Sequence, residues 1–181
     1  VAAATSTELS PMQATKKTLD EARTIVESQH THDEKIVLLK RLLATFLDTD
    51  AMGKSALGRH EAGLTKDQRL EFLRLFRDLF ERTYIEKLLL FEKPDFRYTD
   101  EKREDDHATV VTKLVTPKDE FTVTYRLRHT RDGWKAVDIQ VEDLSLTDNF
   151  RRQLDRILAK ESIDELLKRM HEKFGSESNM K

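Results

Sequence analysis

Apolar side chains recur every three or four residues through the first half of the chain, every second residue through the next quarter, and every three or four again at the end. Met12, Thr15, Leu19, Ala22 and Val26 predict an amphipathic helix over about 11–29, opened by Ser10 as its cap and Pro11 at its first position. Thr31 with Glu34 forms a capping box for a second helix, whose apolar face is Ile36, Leu39, Leu43, Phe46 and Leu47 and which ends near Asp48. Asp50 suits the cap of a short helix through Leu57, stopped by Gly58. Thr65 and Gln68 form another capping box. The run that follows, through Leu70, Leu73, Phe76, Phe80, Ile85, Leu88 and Leu89, meets neither Gly nor Pro before Pro94. At 1.5 Å per residue that helix is roughly 40 Å long, enough to flank a whole sheet.

At Phe96 the period drops to two. Segments 96–99, 107–116, 121–130 and 134–142 read as four strands joined by hairpins, and the helical period returns over 147–159 and 163–174. Helices, a meander, then helices is the order of an α+β protein. Phe121, Val123, Tyr125 and Leu127 alternate with Thr122, Thr124, Arg126 and Arg128, so the sheet has one buried face and one wet face. Two registers compete across Arg131-Asp132-Gly133. A two-residue loop sets Val123, Tyr125 and Leu127 beside Ala136, Asp138 and Gln140. A three-residue loop with Gly133 in the left-handed region sets them on the face of Val137, Ile139 and Val141. The second gathers more apolar surface and is the expectation. A four-residue loop at Thr116-Pro117-Lys118-Asp119 adds Val110, Thr112 and Leu114 to that face. The space between this face and the helices is either a filled core or a cavity, and periodicity does not separate the two.

Composition narrows the classes. In 181 residues, 38% are hydrophobic and 36% charged, and 32 Lys and Arg against 34 Asp and Glu leave a net charge of −2, without the basic excess of a nonspecific nucleic-acid binder. No apolar run approaches the roughly 18 residues of a membrane span. The absence of cysteine removes disulfides, thiolate nucleophiles and Cys-bound zinc. The chain opens Val1-Ala2-Ala3-Ala4, as a mature exported chain freed of its signal peptide would, or as a trimmed cytosolic one. Residues 1–9 and 176–181 are expected to be flexible ends around one α+β unit over 10–175.

Candidate chemistry is sparse. His30-Thr31-His32-Asp33 offers two imidazoles for a metal, but a zinc or copper site needs three or four convergent ligands, and a solvated turn is the simpler reading. His60-Glu61 begins like a zinc-protease helix, yet no second His follows at the required spacing. Tyr125, His129 and Asp138 would make an acid–base group only if they converged. Lys113, Arg126 and Arg128 share a face, with Arg151-Arg152 further on: a solvated surface, or a docking patch for an acidic partner.

Several segments together resemble one family. Met52 with Ala56-Leu57-Gly58-Arg59, the helix start from Leu64 to Phe72, and Phe76 through Thr83-Tyr84 are similar to three of its elements in order. Val123-Thr124-Tyr125-Arg126-Leu127 resembles its Tyr-Arg-Leu strand. Gly133 to Ile139, Glu142, Leu144-Ser145-Leu146 and Asn149-Phe150-Arg151 with Gln153 resemble its closing signature. The family is MlaC, also called the toluene-tolerance auxiliary family, and the resemblance runs from about residue 10 to 174. The chain departs from it at Lys66, where Pro is usual, at His60-Glu61 in place of Trp-Arg, at Ala136 for Tyr and at Asp143 for Gly.

The resemblance implies a periplasmic, non-catalytic phospholipid carrier that needs no metal or cofactor and works as a monomer without nucleic acid. Its acyl chains would lie in an apolar cavity between a curved four-stranded antiparallel sheet and the surrounding helices. The partners implied are an inner-membrane lipid ABC transporter with its MCE-domain subunit and an outer-membrane lipoprotein–porin complex, and the purpose is outer-membrane lipid asymmetry. Candidate lipid contacts are then Met52, Leu57, Leu73, Phe76 and Phe80 from helices, and Leu114, Val123, Tyr125, Leu127, Val137, Ile139 and Val141 from the sheet. Arg59, Arg126 and Arg151 fall inside the similar motifs and are the candidates for headgroup contact or docking.

Overall fold

A computed structural model describes residues 8–174, so most of the two segments expected to be flexible lies outside the described residues. Helix α1 spans Pro11–Glu27, capped by Ser10 as expected and further by a Ser10–Gln13 capping box, and α2 spans His32–Phe46, opened by the expected capping box. Helix α3 (Thr49–Leu57) starts two residues earlier than its sequence suggests. Asp48, not Asp50, caps it by accepting from the Ala51 N–H at 2.9 Å. A short 3-10 turn over Gly58–Gly63 leads to the long helix α4, Lys66–Leu89. Helices α5 (Leu146–Leu158) and α6 (Ile163–Phe174) close the chain.

Between them runs an antiparallel sheet of five strands in the order β1-β2-β3-β4-β5: Asp95–Glu104, His107–Val115, Glu120–Thr130, Gly133–Val141 and Leu144–Ser145. The expectation of four strands missed β5, too short to show a period, and stopped β1 at Thr99. Strand β1 continues through Asp100-Glu101-Lys102-Arg103-Glu104, an exposed stretch with no apolar alternation, held by pairing with β2, by the Met12 N–H donating to Glu101 Oε2 at 2.6 Å and by Arg103 lying 5.0 Å over the Trp134 ring. The β2–β3 loop has four residues as expected, and Val110, Thr112 and Leu114 oppose Tyr125, Val123 and Phe121.

The β3–β4 register combines the two alternatives. Near the turn Leu127 opposes Ala136, as a two-residue loop requires. A bulge then absorbs one residue, Val137, so that Tyr125 opposes Ile139 and Val123 opposes Val141. Each half thereby turns its own apolar set inward, with Trp134 and Ala136 below the bulge and Ile139 and Val141 above it. Gly133 takes φ +98°, the left-handed backbone the turn demands.

Helices α1, α2, α3 and α5 lie against the sheet, whereas α4 packs on α2, α3 and α6. The densest core is where α3 meets α4. Met52, Ala56, Leu57, Phe72, Leu75 and Phe76 are all but sealed from solvent there, each large side chain contributing about 1.5–3 kcal/mol on burial. Gly53 permits that approach: a Cβ on it would stand 2.7 Å from Leu73 Cδ2.

Candidate apolar ligand site

On the inner face of the sheet the core is not filled. An apolar pocket of about 420 Å³ opens between the sheet and helices α1, α2 and α4. Its sheet wall carries Phe96, Leu114, Phe121, Val123, Tyr125, Ile139 and Val141. Leu19 and Ala22 of α1 and Leu43, Phe46 and Leu47 from α2 close one side. Phe80, Tyr84, Leu88 and Phe91 from the far end of α4 close the other. Leu144, Leu146 and Asn149 complete it, and Lys87 is the one charged residue in the lining. The Lys87 ammonium sits 5.1 Å over the Tyr84 ring, a cation–π arrangement that holds the charge at the edge of apolar surface.

Six of the twelve candidate lipid contacts line this pocket: Phe80, Leu114, Val123, Tyr125, Ile139 and Val141. Met52, Leu57 and Leu73 are in the core between α3 and α4, Phe76 lies there too but borders a second pocket on its far side, and Leu127 is sealed under the sheet at 1% exposure. Val137, the bulged residue, faces the other way, half-buried beside Lys102, Thr109 and Arg126. The contributions of α1, α2 and the end of α4 were not singled out from sequence. Their apolar spacing was visible, but only the fold decides which buried stripe borders a void.

The three candidate arginines stand away from the pocket. Arg59 is exposed and 3.6 Å from Asp155, Arg151 pairs with Asp148, and Arg126 opposes Asp138 on the sheet. Tyr125, His129 and Asp138 do not converge. Tyr125 lies in the pocket wall, where burial raises its phenol above the ordinary value, so it stays protonated. His129 meets Glu8 and packs on Trp134. Asp138 accepts from Ser145 Oγ at 2.6 Å, from the Thr147 N–H at 3.2 Å and from the Ile139 N–H at 2.9 Å. That network pins the start of α5 to β4, a structural duty. His30 and His32 pair separately with Glu34 and Glu86, and His60 with Asp155. No three metal-ligating side chains meet among the described residues.

A second apolar pocket, about 340 Å³, lies between α4, α5 and α6 and is lined by Phe72, Phe76, Leu79, Phe150, Ile157 and Met170, among others. The two pockets are separated by three rings. Phe76 is 5.9 Å from Phe80 and 5.3 Å from Phe150, and Phe80 is 6.1 Å from Phe150, centroid to centroid. Such tilted and edge-to-face contacts add about 0.5–1.5 kcal/mol per pair beyond their burial, so the partition is well fixed.

The fold matches a solved structure of a phospholipid-binding protein from Ralstonia solanacearum in complex with a phospholipid. The TM-score is 0.79 at 19% identity, over 90% of this chain and 96% of that one. No curated protein matches by sequence. No helix among the described residues is long and apolar enough to cross a membrane. The profile of the MlaC protein family matches residues 12–172, nearly the whole chain, and with it the chain belongs to the MlaC family of periplasmic, non-catalytic phospholipid carriers.

Proposed function

We propose that the pocket between sheet and helices holds the acyl chains of one phospholipid in transit between the two membranes, and that residues 10–175 act as one lipid-binding unit. The carrying observation is a 420 Å³ space walled almost wholly by apolar side chains where a packed core would otherwise lie. A sixteen-carbon chain has about fifteen methylene-sized groups at ~0.8 kcal/mol each, so roughly 12 kcal/mol opposes its passage through water. A dry pocket replaces the bilayer interior, and the polar end stays wet. No bond is made or broken. Direction follows from the relative affinities of donor, pocket and acceptor.

Phe80, Leu114, Val123, Tyr125, Ile139 and Val141 are the contacts we assign to the chains, with Phe46, Tyr84 and Phe91 added. The phospholipid complex of the Ralstonia structure supports the assignment through a shared fold. Arg59, Arg126 and Arg151 are assigned to docking, since none lines the pocket. The partners are an inner-membrane ABC transporter with an MCE-domain subunit and an outer-membrane lipoprotein–porin complex, met by a monomer.

Native mass spectrometry of freshly purified protein, with organic extraction, tests the reading. The expected result is a discrete mass excess that extracts as phospholipid. In an Ile139→Trp variant, whose indole fills the pocket, lipid content falls at least tenfold while cooperative thermal unfolding persists. Protein that carries no lipid and takes none from labelled phospholipid vesicles would overturn it.

A further inference from the structure

Beside the apolar pocket lies a larger polar groove of about 980 Å³, between α1, α2 and the β3–β4 hairpin. Thr18 and Phe46 line both, so the two spaces meet at one partition, where the Phe46 ring stands 6.0 Å from that of Tyr125. The groove brings together Lys17 from α1, Arg41 from α2 and Arg131 from the hairpin tip, with Glu21 and Asp132 on the same walls. The side chains of these five residues have no hydrogen-bond or ion-pair partner among the described residues. Elsewhere on α1 and the sheet, by contrast, neighbouring opposite charges do pair, as Lys16 with Asp20 and Lys113 with Glu120. The remaining charges of the groove are occupied: Lys135 donates to the Thr45 carbonyl and Glu8 meets His129.

Resting on the carrier reading, we propose that this groove is the headgroup site, and that it selects a zwitterionic headgroup carrying a phosphodiester and a primary ammonium. Three unpaired cations from three separate elements match a phosphate, to which charge-assisted hydrogen bonds are the strong kind. Two unpaired carboxylates on the same walls match an ammonium. A purely anionic headgroup satisfies the first set and leaves the second facing it with like charge. Thr18 and Phe46, which line both spaces, mark where a lipid with its chains in the apolar pocket would enter the groove.

The test compares uptake from vesicles of phosphatidylethanolamine, phosphatidylglycerol and diacylglycerol with identical chains. The wild type is expected to prefer phosphatidylethanolamine. In Lys17→Ala/Arg41→Ala/Arg131→Ala, apparent affinity for both phospholipids drops by roughly tenfold or more, the loss of one or two charged hydrogen bonds, while diacylglycerol uptake is unchanged. In Glu21→Gln/Asp132→Asn, the preference between the two phospholipids disappears and total uptake is kept. Unaltered phospholipid uptake by the triple variant would overturn the proposal, as would an equal loss with diacylglycerol. Soluble glycerophosphoethanolamine binding as tightly as the lipid would also overturn it, by showing a site for free phosphoamines. A wild type that takes up diacylglycerol and both phospholipids equally defeats the headgroup site alone, whereas one that takes up none defeats the carrier reading itself.

Discussion

Glu81, in the middle of α4, is 6% exposed, and its burial outweighs the attraction of its neighbours, Lys40 and Arg77. Its pKa is raised above the ordinary 4.5. A raised acid stabilises the fold fully below the unfolded value and loses that contribution as pH rises through the folded one. Glu81→Gln is therefore expected to raise the urea midpoint at pH 8 and to leave it unchanged below about pH 4, read from unfolding curves across pH. This feature was not legible in the sequence, where Glu81 is one of many acids on a long amphipathic helix. The sheet residues of the pocket were legible, because alternation in Val123, Tyr125, Ile139 and Val141 fixes which side they face. Met52, Leu57, Leu73 and Phe76 were rightly expected inside, but helical spacing gives the buried face and not what lies across it. Met52, Leu57 and Leu73 border the packed α3–α4 interface, whereas Phe76, stacked on Phe72 at 5.8 Å, also faces the second pocket.

Among elements, the β3–β4 hairpin shows most clearly where local reasoning stops. Each competing register was right over half its length, and the switch at Val137 depends on both halves having an apolar set to bury. Nothing in Ala136-Val137-Asp138 marks a bulge locally. Gly133 was legible, since a left-handed turn position calls for glycine. Gly133→Ala meets no neighbouring atom within 4 Å, so its cost is backbone strain alone, about 1 kcal/mol, to be read from the shift in urea midpoint. Helix α4 was read correctly as the longest element, but not as one that packs on helices rather than flat on the sheet. Its C-terminal turns, with Tyr84, Leu88 and Phe91, form one wall of the pocket because α1 and α2 occupy the sheet closer to the hairpin end.

At the scale of the molecule, the proposed duties fall in separate regions: an apolar pocket, a polar groove beside it, and arginines elsewhere on the surface. Charge reversal at Arg59 and Arg126 together is expected to weaken association with the membrane complexes at least tenfold in a pull-down or surface-binding assay. The amount of co-purified lipid should stay at the wild-type level. Reversal at Arg128 would be a poorer choice, since its guanidinium is 2.9 Å from Asp48 and ties the start of α3 to the sheet. The long first strand bears on a different matter. A sheet order of β1 to β5 leaves β1 at a border, and the outer half of that border is Asp100-Glu101-Lys102-Arg103-Glu104, all exposed. A second molecule adding a strand there would have to lay its backbone along charges of both signs and strip them of water. The opposite border is the two-residue β5, which offers almost no ladder to extend. Copies of the chain crowded together are thereby kept from joining edge to edge through their sheets.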